Sequence, residues 1–443
     1  MTYDAWPFRP LHEQSIEEKE LWWNNCYLPS NVDRLLPDYP HWCLVTGGPG
    51  SGKSVAIAAL RRREAQASFI VPYPPERWPG SPQAWLRETD SHLAQMMVAA
   101  GLELQNFLLQ NKEHARDLSG MQREYLRWLI EKPRRGRRAY RRLTDGLDED
   151  MRTIFESVPF ADLFPDENDP LDVQGQIAEL VWLVQALGFQ RVLFILDLQT
   201  RYHDQYADSL AELFDWLDIM HQPGFALVAA VPPPTIERGQ LVARTRGRVS
   251  VLHLNWQTEQ GIAIADRLIR QALPAGAKHM SLNSLADERT IADMAEVIAG
   301  EYGYQAPAGW VTLAETILYL DGKDGRSGSG QLEDRSLEVQ RAYFARHMKL
   351  IVDKDAQGIW RGPKLIHLDD KPFQFVKLLL QRRGNPINWD DNELRILAGS
   401  PGNVHSIASR TRKVLEPFPS DPIYIINRRG EGGYLLQNYA EPW

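Results

Sequence analysis

The sequence predicts an α/β fold: a parallel sheet covered by helices on both faces, then a helical region and a small mixed C-terminal module. Three observations lead there. Apolar, partly β-branched runs recur at 43–46, 67–71, 191–197, 225–231 and 249–254, too continuous for a sheet with one wet face. Stretches with helical apolar spacing separate them. Between the first run and a helix-forming stretch, Gly47-Gly48-Pro49-Gly50-Ser51-Gly52-Lys53-Ser54 fits G-x-x-x-x-G-K-[ST] at every fixed position.

That motif is a phosphate cradle, the P-loop. Glycines permit the backbone turns that point successive N–H groups inward, and the new helix aims its positive end at the same place. Lys53 is expected to reach the β/γ-phosphates and the Ser54 hydroxyl to ligate Mg²⁺. Gly47, Gly48, Gly50, Ser51, Gly52, Lys53, Ser54 and Val55 are therefore the expected nucleotide contacts, with ATP and Mg²⁺ as cofactors. A P-loop NTPase core is the expected frame.

The 443 residues exceed one ordinary core. A hydrophobic share of 43% and a charged share of 24% are ordinary for a globular protein. No signal-like start and no membrane-length apolar run stands out. Two cysteines, Cys26 and Cys43, make no disulfide framework, so the cytoplasm is the expected location. Net charge is −8, unevenly spread. Residues 341–443 carry 16 Lys+Arg against 11 Asp+Glu, a net +5, which leaves −13 for residues 1–340. A basic end on an acidic body suggests an appended nucleic-acid module.

In chain order, residues 1–40 hold a short helix around Trp22 and Trp23 and a Pro-rich loop. The core is expected over 41–255, with a mainly helical insert at about 74–175. Within the insert, 132–142 holds seven positive charges around Tyr140, a solvated face or a contact for a nucleic-acid backbone. Asp166 to Pro170 reads as a turn. Residues 256–320 read as a helical lid, 321–336 as a Gly/Ser/charged linker, and 337–443 as the last domain.

Asp197 ends the third apolar run, where a carboxylate helps to hold Mg²⁺. No carboxylate follows it to activate water: Leu198 cannot, and Gln199 could orient a water but is a poor base. The 225–231 run ends in Val231-Pro232, without a polar group to sense the γ-phosphate. Nucleotide binding is expected, with slow hydrolysis.

This order resembles the AAA+ superfamily, especially its origin-recognition-like and STAND branches, over residues 40–320. The resemblance implies an arginine finger near Arg244, Arg246 and Arg248, with Arg248 a catalytic candidate beside Lys53, Asp197 and Gln199. It also implies a second sensor arginine at Arg267 or Arg270. The insert departs from the compact pattern.

Residues 350–436 read as a winged helix-turn-helix. Two short strands, 350–352 and 364–368, bracket a Gly-containing turn. Phe373, Phe375, Val376, Leu379 and Leu380 line a first helix, and Asn388 with Asp391 opens a second. Along the third helix, Val404, Ile407, Ala408, Thr411 and Leu415 share the core face. That leaves His405, Ser409, Arg410, Arg412 and Lys413 outward, with Arg428 and Arg429 at the tip of a final hairpin. Ser409 to Glu416, Ser420-Asp421-Pro422 and Arg429-Gly430-Glu431-Gly432 with Tyr434 resemble the OmpR/PhoB-type effector domain. In that family the third helix enters the major groove and the wing the minor groove. The extra Gly433 and the short loop at 400–402 depart from it.

The expected function is a nucleotide-switched DNA-binding regulator. A STAND-type scaffold whose winged helix meets protein, or a mobile-element or replication ATPase assembling on DNA, stands beside it. DNA is the expected partner; a homo-oligomer or a protein partner is open, and no membrane is expected.

Overall fold

The computed structural model describes residues 6–36, 42–79, 91–131, 137–158, 170–198, 203–216, 220, 222–323, 335–353, 357–388, 390–428 and 433–440. The chain forms two compact units. The first is residues 29–48 and 52–255; the second is residues 1–28, 49–51 and 256–443.

The first unit holds a five-stranded parallel sheet of β1 (Trp42–Thr46), β2 (Ser68–Pro72), β3 (Arg191–Asp197), β4 (Phe225–Val231) and β5 (Ser250–His253). Their order is β2-β3-β4-β1-β5. The five apolar runs of the sequence are these five strands. Each strand splits its side chains between two cores by the two-residue period. Trp42 and Leu44 enter one core, Cys43 and Val45 the other. The helix Lys53–Glu64 covers the second face with Ala56, Ile57 and Leu60. Burial pushes the Cys43 thiol up to about 12, as for an inert core cysteine.

The insert does not stand apart. Its longest helix, His92–Gln110, is capped by the Ser91 hydroxyl, which accepts the Ala94 N–H at 3.3 Å. Leu93, Met96, Leu104 and Leu108 of that helix share the first core with Phe69 and Val71 of β2. Tyr140 is a core residue of the insert: it is buried, and its hydroxyl donates to the Phe155 carbonyl at 2.8 Å. Residues 132–136 of the basic run, and 166–169 of the expected turn, lie outside the described residues.

In the second unit, helix Thr258–Ala272 packs on Pro307–Lys323, which together with Glu288–Tyr302 packs on Ser336–His347. Trp310, Leu313 and Ile317 belong to the same core as Val339, Tyr343 and Phe375. The expected lid and C-terminal module therefore share one hydrophobic interior. The linker expected at 321–336 is also shorter at both ends. Helix Pro307–Lys323 runs through Asp321 and Gly322, and the next helix starts at Ser336; residues 324–334 lie outside the described part.

The module itself starts with an antiparallel sheet of β6 (Leu350–Asp353), β7 (Gly358–Arg361) and β8 (Lys364–His367). The two strands expected here are separated by a third. β7 offers only Ile359 and Trp360 as an apolar signal, too little to register as a strand. Helices Asp370–Gln381, Asn392–Ala398 and Pro401–Leu415 follow, with β9 (Ile387–Asn388) between the first two. Asp391 alone caps the second helix, accepting the Glu393 N–H at 3.1 Å, while Asn388 lies in β9. β10 (Ile425–Arg428) and β11 (Gly433–Leu436) form the closing hairpin, and β9 pairs with β11. Gly433 is tied to that pairing: a Cβ there would lie 2.4 Å from Asn388 Oδ1 and 2.6 Å from the Ile387 carbonyl. Among the described residues, no helix is long and apolar enough to cross a membrane.

Candidate functional site

The phosphate loop leaves β1 and turns through Gly50 (φ 73°) and Gly52 (φ 87°), both in the left-handed region. Gly52 is the N-cap of helix Lys53–Glu64, so the first turn of that helix has its free N–H groups at the end of the loop. Lys53 is buried, and its ammonium donates to the Gly47 carbonyl at 2.7 Å and the Gly48 carbonyl at 3.1 Å. Burial pulls its pKa from 10.5 to about 8, and the charge of Asp197 opposes that shift.

Asp197 ends β3, two strands from β1 with β4 between. Its carboxyl pKa is raised by burial, against a hydrogen bond from Ser54 and the charge of Lys53. Strand order therefore brings Asp197 to the adjacent Lys53 and Ser54, from which it lies far apart in sequence. The fold is that of a P-loop NTPase.

These residues fit a magnesium nucleotide. A buried ammonium that donates to two backbone carbonyls is a cation that a phosphate would pair with. The Ser54 hydroxyl beside a carboxylate is a hard oxygen pair suited to Mg²⁺. A bound Mg²⁺ would neutralise phosphate charge; this chain's own share would be to orient phosphates by the loop and Lys53.

The remaining candidates fare unevenly. Leu198 is buried in the first core, and its N–H donates to the Ala230 carbonyl at 2.9 Å. Gln199 lies outside the described residues. Val231 is buried. Arg244 is paired with Asp215 at 2.6 Å, while Arg246 and Arg248 are exposed. In the second unit Arg267 donates to the Tyr27 carbonyl, and Arg270 lies 3.8 Å from Asp266.

No protein-family model matches the chain, and no curated protein matches it. Among solved structures, the chain is similar to the Orc1 protein of Aeropyrum pernix in complex with DNA. Identity is 16%, coverage 93% of this chain and 90% of that one, and the TM-score 0.38. It is also similar to the RuvB Holliday junction branch migration motor of Thermotoga maritima, at 13% identity, 96% and 95% coverage and a TM-score of 0.29. A Walker-type ATPase of Pyrococcus abyssi matches at 12% identity, 92% and 91% coverage and a TM-score of 0.34. TM-scores this low carry no functional weight; the strand order and loop of this chain carry the P-loop assignment.

In the C-terminal module, Val404, Ile407, Ala408, Thr411 and Leu415 are all buried, as their spacing requires. His405, Ser409, Arg410 and Lys413 are exposed. Arg412 is not free to face a ligand. Its Nε and Nη2 donate to the Ile425 carbonyl at 2.9 and 2.7 Å, with the guanidinium 5.5 Å from the centre of the Tyr434 ring. His405 Nδ1 lies 2.6 Å from the Tyr434 hydroxyl. Arg412 thus ties the third helix to the hairpin. Arg428 is exposed, and Arg429 lies outside the described residues.

Sequence reading missed the residues that touch the loop's crest. Within the second unit, Trp256 Nε1 donates to the Ser51 carbonyl at 2.9 Å, the Ala308 N–H to Gly50 at 3.2 Å, and the Tyr304 hydroxyl to Pro49 at 2.6 Å. The only local signal is Tyr302-Gly303-Tyr304, a glycine helix end between two tyrosines. Nothing in it points to a loop some 250 residues earlier.

Proposed function

We propose that this chain is a nucleotide-switched DNA-binding ATPase: it binds MgATP at residues 47–55 and duplex DNA through residues 337–443, and it turns ATP over slowly. The observation that carries the reading is the buried Lys53 ammonium beside Asp197 and Ser54, at the start of a helix whose N-cap is a left-handed glycine. In this reading the module is a winged helix of OmpR/PhoB type, with His405, Ser409, Arg410 and Lys413 toward the major groove and Arg428 and Arg429 on the wing. Lys53, Asp197, Gln199 and Arg248 remain the catalytic candidates, and the cytoplasm the proposed location. Self-assembly belongs to the same reading, as the way an exposed Arg246 or Arg248 would reach a neighbour's phosphates.

A second reading has its own support. Ile396 is 82% exposed and Val414 51% exposed on the same module; apolar side chains at such positions suit a protein partner. The test is binding of the full chain to a mixed-sequence 30-base-pair duplex at two salt concentrations, with and without ATP. Salt-sensitive binding that changes with ATP supports the DNA reading. Absence of binding at low salt in both states removes it and leaves the protein-partner reading.

A further inference from the structure

The phosphate loop has a feature that its motif does not require. Three consecutive carbonyls, those of Pro49, Gly50 and Ser51, each accept a hydrogen bond from Tyr304, the Ala308 N–H and Trp256 respectively. All six residues belong to the second unit. The contact is also tight at the glycine between: a Cβ on Gly50 would lie 2.7 Å from Tyr302 Cε1 and 2.8 Å from Ala308 Cβ.

The geometry of the peptide group gives these bonds a consequence. In a planar trans peptide the C=O and N–H point in opposite directions. The carbonyls of Pro49, Gly50 and Ser51 share their peptide planes with the N–H groups of Gly50, Ser51 and Gly52. A donor that holds each carbonyl to one side therefore turns the matching N–H to the other. A phosphate cradle needs just this: adjacent N–H groups fixed toward one centre before the anion arrives. Left to itself, a Gly-Pro-Gly-Ser-Gly segment has many other conformations to lose on binding.

We infer that Tyr304 and Trp256 are positioning residues for phosphate binding, which shape the loop from outside through its carbonyls and do not touch the nucleotide. The inference rests on the P-loop reading above and deepens it.

The test uses the full chain and two conservative variants. Tyr304→Phe keeps the ring and removes the donor; Trp256→Phe keeps an aromatic side chain and removes the indole N–H. A fluorescent ATP analogue reports binding, displaced in turn by MgATP and by magnesium tripolyphosphate, which has no base or sugar. Each variant is expected to weaken both competitors by the same factor, about twofold to tenfold, the range of one neutral hydrogen bond. The melting temperature without nucleotide is expected to stay at the wild-type value. Equal affinity in wild type and both variants would overturn the inference and leave the P-loop reading intact. Weakening of MgATP without weakening of tripolyphosphate would also overturn it, since the residues would then act on the base or sugar. A wild-type chain that binds neither competitor would overturn the P-loop reading and the inference together.

Discussion

Arg361 on β7 holds Glu301 near the end of helix Glu288–Tyr302 through two hydrogen bonds, Nε to Oε2 at 3.0 Å and Nη2 to Oε1 at 2.5 Å, with both side chains 7% exposed. Its Nη1 donates to the Leu415 carbonyl at 2.6 Å, at the end of the third module helix. The ring of Phe344 lies 5.4 Å below the guanidinium. One side chain thus joins a helix of the expected lid, the module's first sheet and the helix proposed to meet DNA. Only a planar, forked cation can make all three bonds at once.

Removing Arg361 is expected to destabilise the second unit severely. Arg361→Ala leaves Glu301 buried and short of its partner, a loss of about 3–5 kcal/mol. Lys364, at 3.8 Å from Glu301, offsets part of it. The double variant Glu301→Gln with Arg361→Met removes both charges and is expected to be more stable than Arg361→Ala alone. Urea unfolding followed by tryptophan fluorescence reads the difference. A double variant no better than the single one would show that packing, not charge, holds the junction.

Lys53 gives a pH signature of the site. Its pKa in the folded chain is about 8, below the ordinary 10.5. Below pH 8 it is charged in both folded and unfolded chains, and the burial cost is fully present. Between pH 8 and 10.5 only the unfolded chain keeps the proton, so this residue's contribution to stability rises with pH there. Nucleotide affinity has the opposite sense. Phosphate favours the charged ammonium, so affinity is expected to be level below pH 8 and to fall by up to about tenfold per pH unit above it. Titration calorimetry in buffers of different ionisation enthalpy should show proton uptake on binding near pH 8.5. Lys53→Arg removes the uptake, because arginine stays charged. Lys53→Ala is expected to lose most affinity while the fold persists; wild-type affinity in a folded Lys53→Ala protein would refute the site.

The residues proposed to face DNA divide by what they touch. Arg410 and Lys413 are exposed, so Arg410→Ala and Lys413→Ala are each expected to lower the salt slope of DNA binding by about one unit. Arg412 donates twice to the Ile425 carbonyl. Arg412→Ala is expected to lower the melting temperature and weaken binding through the lost helix–hairpin tie. Fluorescence anisotropy at several salt concentrations separates the two kinds of effect. A normal melting temperature with a reduced salt slope in Arg412→Ala would place that side chain on phosphate after all.

Much of this was legible in the sequence, for physical reasons that are local. Strands buried on both faces are apolar along most of their length, so β1, β3 and β4 announce themselves, while the edge strand β5 has only Leu252 buried. The i, i+3, i+4, i+7, i+11 spacing from Val404 to Leu415 fixed the buried face of the third helix. Arg412 shows the limit of that logic. The helix period places it off the core, but whether an arginine there meets solvent, ligand or the chain's own carbonyl depends on the hairpin opposite. The shared interior of 256–320 and 337–443 was hidden for a similar reason: a polar Gly/Ser stretch reads as a tether whether or not the segments it joins pack together. The carbonyl bonds of Trp256 and Tyr304 leave no pattern, since any side-chain donor can serve any carbonyl.

The last prediction concerns turnover. Rapid hydrolysis needs a positioned water as well as charge stabilisation. The sequence has Leu198 after Asp197 where a carboxylate would be expected to activate water, so a glutamate there is the substitution that pattern suggests. The structure argues otherwise. Leu198 is 1% exposed, in the same core as Leu44 and Phe194. A glutamate at this position would carry its carboxylate into an apolar interior. Leu198→Glu is therefore expected to lower the melting temperature by several degrees and leave the hydrolysis rate of the surviving folded protein unchanged. The wild-type chain is expected to turn over more slowly than about 1 per second, the low end of typical enzymes. A phosphate-release assay on purified protein, with and without duplex DNA, reads both. Acceleration in Leu198→Glu would mean that β3 ends in a different register, with residue 198 turned out of the core toward the phosphates. Fast wild-type turnover without DNA would mean that another group supplies the base, and the exposed Glu237, just beyond the end of β4, is the first to replace with glutamine.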